Sequence, residues 1–351
     1  MGTSWYCALA ALLLASAALP PARAAAPTDD HAAFMEALAY IQKYSVWREG
    51  KDWSAIRSEA IGDWEKAETD QEKAAVFSRV FEILGDTHSS VTVRNVIGDY
   101  WRAGPVPTTE QVRIYALLRS YSKAKANSPW GKMLNARTAY LVVPSMAANP
   151  PDEDSLAALA RKLDSVVCDL ASHGARRWVI DLRYNSGGNM HVMLNGLAEL
   201  IGDGLIGGAV DSNGELTPWT IEHGTFRMGG EIRFPFHSSC ALDSRDHAIV
   251  GLVSQLTLSS GEFTSLAIRG RAKAELLGAT PAPGYATIND YHPISTDFIV
   301  NLAVARAYDR NGHVFGESIE PSIAFETDVN LDDPEQDAWV AKAREILGRL
   351  D

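Results

Sequence analysis

The sequence predicts an α/β protein: a core of alternating strands and helices, preceded by a helical region. Three observations carry this. From about residue 137 to the end, short apolar runs of strand type alternate with amphipathic helical runs, the pattern of an α/β core. Residues 30 to about 84 instead place their apolar side chains at helical spacing. The chain has 351 residues, 46% of them hydrophobic, which is enough for one large or two modest domains.

The elements follow in order. The first 26 residues read as a secretory signal. Cys7 to Leu19 is an apolar run dominated by Ala and Leu, followed by Pro20, Pro21 and the small-residue series Ala22-Arg23-Ala24-Ala25-Ala26. That series supplies an A-x-A type cleavage site, although no Lys or Arg precedes the run. The run is shorter than the ~20 apolar residues of a membrane helix, and no later stretch qualifies. The expectation is a chain exported to the periplasm or beyond, with no transmembrane segment once the signal is removed. The expected domains are 1–26 as signal, 27–130 as the helical region and 131–351 as the core.

His31 to Trp47 carries Phe34, Leu38, Ile41, Tyr44 and Val46 on a helical stripe. Asp70 to Leu84 repeats the pattern, and Thr69 with Glu72 reads as a capping box. Ala139 to Val143 is a strand, and Asp152 to Ser172 an amphipathic helix entered through Pro150-Pro151. Trp178 to Leu182 is a buried-type strand and Met190 to Ile201 a helix. Gly208 to Phe236, rich in Gly, Thr and aromatics, reads as hairpins. Strand 248–253, helix 260–270 and the strands Ala274 to Gly278 and Phe298 to Ala307 follow, and Pro334 to Leu350 is a closing helix. Trp101 and Trp219 are candidates either for a cleft wall or for the core.

The net charge of -12 argues against a nucleic-acid binder, which needs a basic face. There is no CxxC and no HExxH, and the nine His are scattered, so no metal is expected. No phosphate-loop or dinucleotide fingerprint is present either, and no cofactor is expected. Cys168 and Cys240 remain after signal removal, and two buried free thiols are expected rather than a pair.

Three polar turns carry the chemistry. In Thr257 to Glu262, a small hydroxyl residue sits where a strand turns into a helix, with helix-start amides beside it. Ser259 is either a nucleophile there or an ordinary N-cap. In Trp178 to Asn189, a buried strand ends in adjacent Gly187 and Gly188, whose amides approach a bound group closely. They form either an oxyanion hole or a tight turn. In Ile83 to Val91, a helix ends and places His88 between Thr87 and Ser89, as a general base or as a structural histidine.

Leu84-Gly-Asp-Thr-His88, Ile180-Asp-Leu-Arg-Tyr-Asn-Ser-Gly-Gly188, Thr257-Leu-Ser-Ser-Gly-Glu262, Leu277-Gly-Ala-Thr280 and Gly312 with Ile319-Glu-Pro321 occur in that order. Together they resemble the C-terminal processing peptidase and tricorn-core family of serine peptidases, over roughly residues 80 to 325. The resemblance implies a crotonase-like (ClpP/crotonase spiral) core, a peptide or protein substrate and Ser259 as nucleophile. The processing-peptidase branch pairs its Ser with a downstream Lys. Here that neighbourhood reads Thr280-Pro281-Ala282-Pro283-Gly284, and of the two lysines after Ser259 neither Lys273 nor Lys342 fits. The tricorn-like branch uses a His where this chain has His88. The stretch between Val91 and Thr138 is too short for the PDZ domain that many relatives add.

The implied mechanism has His88 take the Ser259 proton, with Gly187 or Gly188 and Ser260 as oxyanion donors. The third member stays open. Tricorn-like relatives place a Glu where this chain has Phe315, and Pro321 is followed by Ser322 instead of Asp. Glu317, Glu262 and Asp309 are candidate orienting acids, and Thr87 a candidate hydroxyl. A non-catalytic ligand-binding protein on the same core and an esterase-like hydrolase are the alternatives.

Overall fold

The structure is a computed structural model, and it describes residues 30–99, 128–148 and 152–350, together with 113, 116 and 120. The signal segment with Cys7, the prolines Pro150 and Pro151, Trp101 and most of the stretch argued to be too short for a PDZ domain lie outside the described residues. The chain divides into two compact units. One comprises residues up to 103 with 209–216 and 287–306; the other comprises 104–208, 217–286 and 307–351.

In the first unit, helices Asp30–Tyr44, Trp53–Trp64 and Asp70–Leu84 follow one another. Each start is dictated locally. Asp52 accepts from the amides of Ser54 and Ala55. Thr69 and Glu72 form the expected capping box, each side chain bonding the other's amide. Gly85, at φ 76°, ends the third helix in the left-handed conformation that glycine adopts without penalty. These helices bury Phe34, Phe77 and Phe81 against a sheet that contributes Val91, Val93, Phe298 and Val300. That sheet contains strands not foreseen from the sequence: the hairpin Ser90–Val93 with Val96–Asp99, and Thr287–Ser295. Both Ser90–Val93 and Thr287–Ser295 pair antiparallel with Phe298–Asp309.

The second unit is built on a sheet ordered Ile323–Ala324, Ala274–Gly278, Ala248–Val253, Arg177–Asp181, Thr138–Val142 and Trp130–Met133. All neighbours are parallel except the last pair. Ala248–Val253 is buried at every position, as an inner parallel strand must be. One face of this sheet packs Trp339, Val340, Ala343 and Leu347 of helix Ala338–Leu347. Helices Glu153–Ser172 and Ser260–Ile268 belong to the same unit. The helix expected over 190–201 breaks at Leu197 into Met190–Gly196 and Ala198–Ile201. Strands Leu216–Glu222 and Thr225–Met228 form one of the expected hairpins. Trp219 on the first of them is fully buried and edge-on to Phe263, so it is a core residue. The mixed α/β class is as expected.

One expectation is corrected. Cys168, on helix Glu153–Ser172, and Cys240 are joined by a disulfide across 72 residues of sequence. The helix and the 238–240 loop are brought together by Asp164, which accepts from Ser238 Oγ and from the Ser239 amide at 2.8 Å. That contact is invisible in sequence spacing.

Candidate active site

The strands Arg177–Asp181 and Ala248–Val253 are adjacent and parallel, with Asp181 opposite Leu252. Their connecting loops therefore leave from the same edge, the carboxyl edge where open parallel sheets place their sites. One loop holds Gly187 and Gly188, the other Ser259 and Ser260.

Side chains and backbone zip the two loops together. Thr257 Oγ1 donates to the Leu182 carbonyl at 2.9 Å, and the Leu258 amide donates to the Asn185 carbonyl at 2.9 Å. Ser260 Oγ donates to the Gly188 carbonyl at 3.0 Å. Beneath them, Arg183 is fully buried and ion-paired to Asp181 and Asp337, at 2.6 and 2.9 Å. Tyr140 donates to the same Asp181 at 2.5 Å. A buried arginine is tolerated only with such pairing, which anchors the start of the glycine loop.

Ser259 takes the N-cap position of helix Ser260–Ile268, yet its side chain makes no cap hydrogen bond. Its backbone has φ 53° and ψ -123°, a conformation that non-glycine residues avoid at a cost of ~1–3 kcal/mol. The strain and the unused hydroxyl both separate Ser259 from an ordinary cap. Gly187 is the reason the turn fits: a Cβ there would lie 3.0 Å from the Ser259 Cβ. Gly188, at φ 120°, runs so close to Met146 that a Cβ would meet the Met146 carbonyl oxygen at 2.3 Å. The Gly187 N–H donates to Asn185 Oδ1 at 2.9 Å. The amides of Gly188 and Ser260 have no hydrogen-bond partner among the described residues.

The three candidate acids of this unit differ. Glu262 is fully buried, and burial pushes its carboxyl well above the usual carboxylate range. Its Oε2 accepts from the Ile319 amide at 2.8 Å. The nearby Ser259 amide favours its charged form, although Oε1 makes no hydrogen bond of ordinary geometry. Glu262 thus stands at the third helical position, where a capping acid serves the helix start that the Ser259 side chain does not. Asp309 accepts from the amides of Asn311 and His313 at 2.9 and 3.0 Å, which fixes its own turn. Glu317 is exposed, and its carbonyl accepts from the Gly284 amide at 2.8 Å.

His88 lies in the other unit, in the turn between helix Asp70–Leu84 and strand Ser90–Val93. Asp86, fully buried, holds that turn by accepting from the amides of His88 and Ser89 and from Ser89 Oγ, at 2.9, 3.0 and 2.6 Å. Burial pushes Asp86 upward, and these donors oppose the shift. His88 Nδ1 is 2.8 Å from Thr287 Oγ1. Burial pushes the imidazole down to about 4, against a hydrogen bond to the Thr287 backbone that raises it. His88 is therefore neutral at pH 7. Thr87 is half-buried beside it.

Sequence reasoning missed Asn185 and Thr287. Asn185 Nδ2 donates to the carbonyls of Val143 and Pro144 at 3.1 and 3.0 Å, so its amide ties three segments at the glycine turn. Its place just before Ser186-Gly187-Gly188 was the available signal.

The sequence profile of Peptidase family S41 matches residues 137–325, more than half of the chain. The Nisin-resistance protein of Lactococcus lactis subsp. lactis is 23% identical over 283 residues, covering 80% of this chain and 78% of that one. Among solved structures, a lipoprotein from Streptococcus agalactiae superposes with TM-score 0.68 at 19% identity, covering 95% of this chain and 98% of that one. The photosystem II D1 C-terminal processing protease superposes with TM-score 0.56 at 15% identity, covering 92% and 100%.

Proposed function

This chain belongs to peptidase family S41 and is a serine peptidase; from that premise we propose that it is exported and cleaves peptide bonds through an acyl-enzyme on Ser259, with His88 as general base. Ser259 Oγ attacks the carbonyl of the scissile bond while His88 accepts its proton. The amides of Gly188 and Ser260 hold the oxyanion, Gly187 N–H being already engaged by Asn185. His88 returns the proton to the leaving amine, and water then releases the acyl group. The core that presents these groups is read as a crotonase-like spiral.

The observation that carries this reading is the Ser259 turn: a strained serine whose hydroxyl caps nothing, beside two amides with no partner among the described residues. Export is supported by the signal-like N-terminus and by the Cys168–Cys240 disulfide, since such bonds persist in oxidising compartments. Among the described residues no helix is long and apolar enough to cross a membrane.

A fluorophosphonate probe tests the assignment. It labels the wild type at Ser259, and Ser259→Ala loses labelling together with peptidase activity, by a factor on the order of 10⁴–10⁶. His88→Ala loses labelling, whereas Lys273→Ala keeps it. Because the folded His88 pKa of about 4 lies below its ordinary 6.5, the neutral base persists into acid. Labelling then stays level from about pH 8 to about pH 5 and falls below that. Undiminished peptide hydrolysis by Ser259→Ala would sink the proposal. One similar protein is named for nisin resistance, so nisin belongs in the substrate panel beside ordinary peptides.

A further inference from the structure

The hydrogen bonds around His88 form a closed ring, and the ring has a direction. Asn289 Nδ2 donates to the His88 backbone carbonyl at 2.8 Å. A carbonyl only accepts, so the Asn289 amide has its nitrogen at that end and its oxygen at the other. That oxygen, Oδ1, lies 3.4 Å from Thr287 Oγ1, a long hydrogen bond in which the hydroxyl donates. A hydroxyl has one proton. With that proton directed at Asn289, Thr287 Oγ1 meets His88 Nδ1 as an acceptor, at 2.8 Å. The ring proton therefore sits on Nδ1.

The Thr287 backbone also reaches the ring. The Thr287 backbone forms a hydrogen bond that raises the His88 pKa. Only an acceptor does that, because a backbone donor would stabilise the neutral ring instead. With the Thr287 hydroxyl accepting at Nδ1, the lone pair of neutral His88 falls on Nε2. Thr287 is fully buried at the start of strand Thr287–Ser295, so the hydroxyl is held by the sheet as well as by its partners.

Carboxylates of the same neighbourhood are engaged otherwise. Asp86 serves the backbone and Ser89 of the His88 turn. Asp290 receives the Tyr40 hydroxyl, and Tyr40 stacks on His292 at 4.0 Å.

We propose that Thr287 and Asn289 are the positioning pair of this peptidase: Thr287 accepts the His88 Nδ1 proton, Asn289 orients Thr287, and Nε2 is left as the nitrogen that takes the Ser259 proton. This rests on the reading of His88 as the base. It assigns to a hydroxyl and an amide the tautomer selection that a carboxylate performs in a Ser-His-Asp triad. A neutral hydroxyl stabilises the imidazolium less than an anion does, so the pair acts by choosing the tautomer and the ring orientation.

The experiment reads the tautomer directly. In ¹⁵N-labelled protein near pH 7, long-range ¹H–¹⁵N spectra of the imidazoles show which nitrogen of His88 is protonated, the signals being assigned with His88→Gln. The wild type shows the proton on Nδ1. Thr287→Val removes the acceptor, gives a mixture of tautomers and lowers kcat about 10- to 100-fold, with KM little changed. Thr287→Ser restores the single tautomer and most of the rate. A wild-type His88 protonated on Nε2 overturns the proposal and requires no variant to fold. So does a Thr287→Val enzyme with unchanged kcat, or one whose kcat falls while the tautomer stays fixed. If no peptide is hydrolysed by the wild type, the mechanism above fails, while the wild-type spectrum still decides the role of Thr287.

Discussion

The turn that carries Ser259 and the turn that carries His88 are held in opposite ways. Ser259 sits at φ 53°, and its turn is kept there by bonds to a distant loop: Leu258 to Asn185, Thr257 to Leu182 and Ser260 to Gly188. From Asp86 to Ser90 no residue has positive φ, and one local carboxylate takes the free donors of the turn. The difference fits the roles proposed for each group. A nucleophile must present its oxygen beside open amides, which is a demand on the backbone and needs outside support. A base needs its ring aimed and its tautomer chosen, which side-chain hydrogen bonds accomplish.

The comparison breaks first, and most severely, at Gly188. A Cβ there would meet the Met146 carbonyl oxygen at 2.3 Å, at a φ of 120° that L residues avoid. Gly188→Ala should cost about 3 kcal/mol or more in urea unfolding and sharply slow probe labelling of Ser259. An alanine variant as stable as wild type would mean that backbone approach does not fix the serine turn.

A smaller loss is expected at the other turn. Asp86→Ala leaves the amides of His88 and Ser89 without their acceptor in a buried site, at a cost of about 2 kcal/mol. Ser89 Oγ keeps one partner, the Ala303 amide at 2.8 Å, which limits the damage. The same unfolding experiment ranks the two variants. Should Asp86→Ala prove the more damaging, the contrast between distant and local support is reversed.

The same contrast governs what was legible in the sequence. Helix Asp70–Leu84 was readable to the residue, because its capping box and its apolar stripe are local. The strands Ser90–Val93 and Val96–Asp99 were not, being four residues each, with Ser90–Val93 paired to a segment about 200 positions away and Val96–Asp99 paired only to Ser90–Val93 among the described residues. The three polar turns stood out as motifs. Their support did not: the Asn185 contacts, Thr287 beside His88 and the Cys168–Cys240 bond all join segments far apart in the chain. Glu262 stood in sequence as a candidate orienting acid. The structure engages its Oε2 with the Ile319 amide, which only the folded chain shows.

The smallest expected effect isolates the strain itself. Ser259→Ala and Ser259→Gly both remove the hydroxyl, so under the proposed mechanism neither is active and catalysis does not enter the comparison. Alanine keeps a Cβ at φ 53° and therefore keeps the strain. Glycine adopts that conformation freely, which relieves ~1–3 kcal/mol. Its looser unfolded chain returns ~0.5–1 kcal/mol of that gain. The balance favours the glycine variant by about 1 kcal/mol, seen as a higher melting temperature than that of Ser259→Ala. If the two variants melt together, or the glycine variant melts first, the serine turn is not strained. Its positive φ would then be a local accommodation, with no bearing on how the hydroxyl is presented.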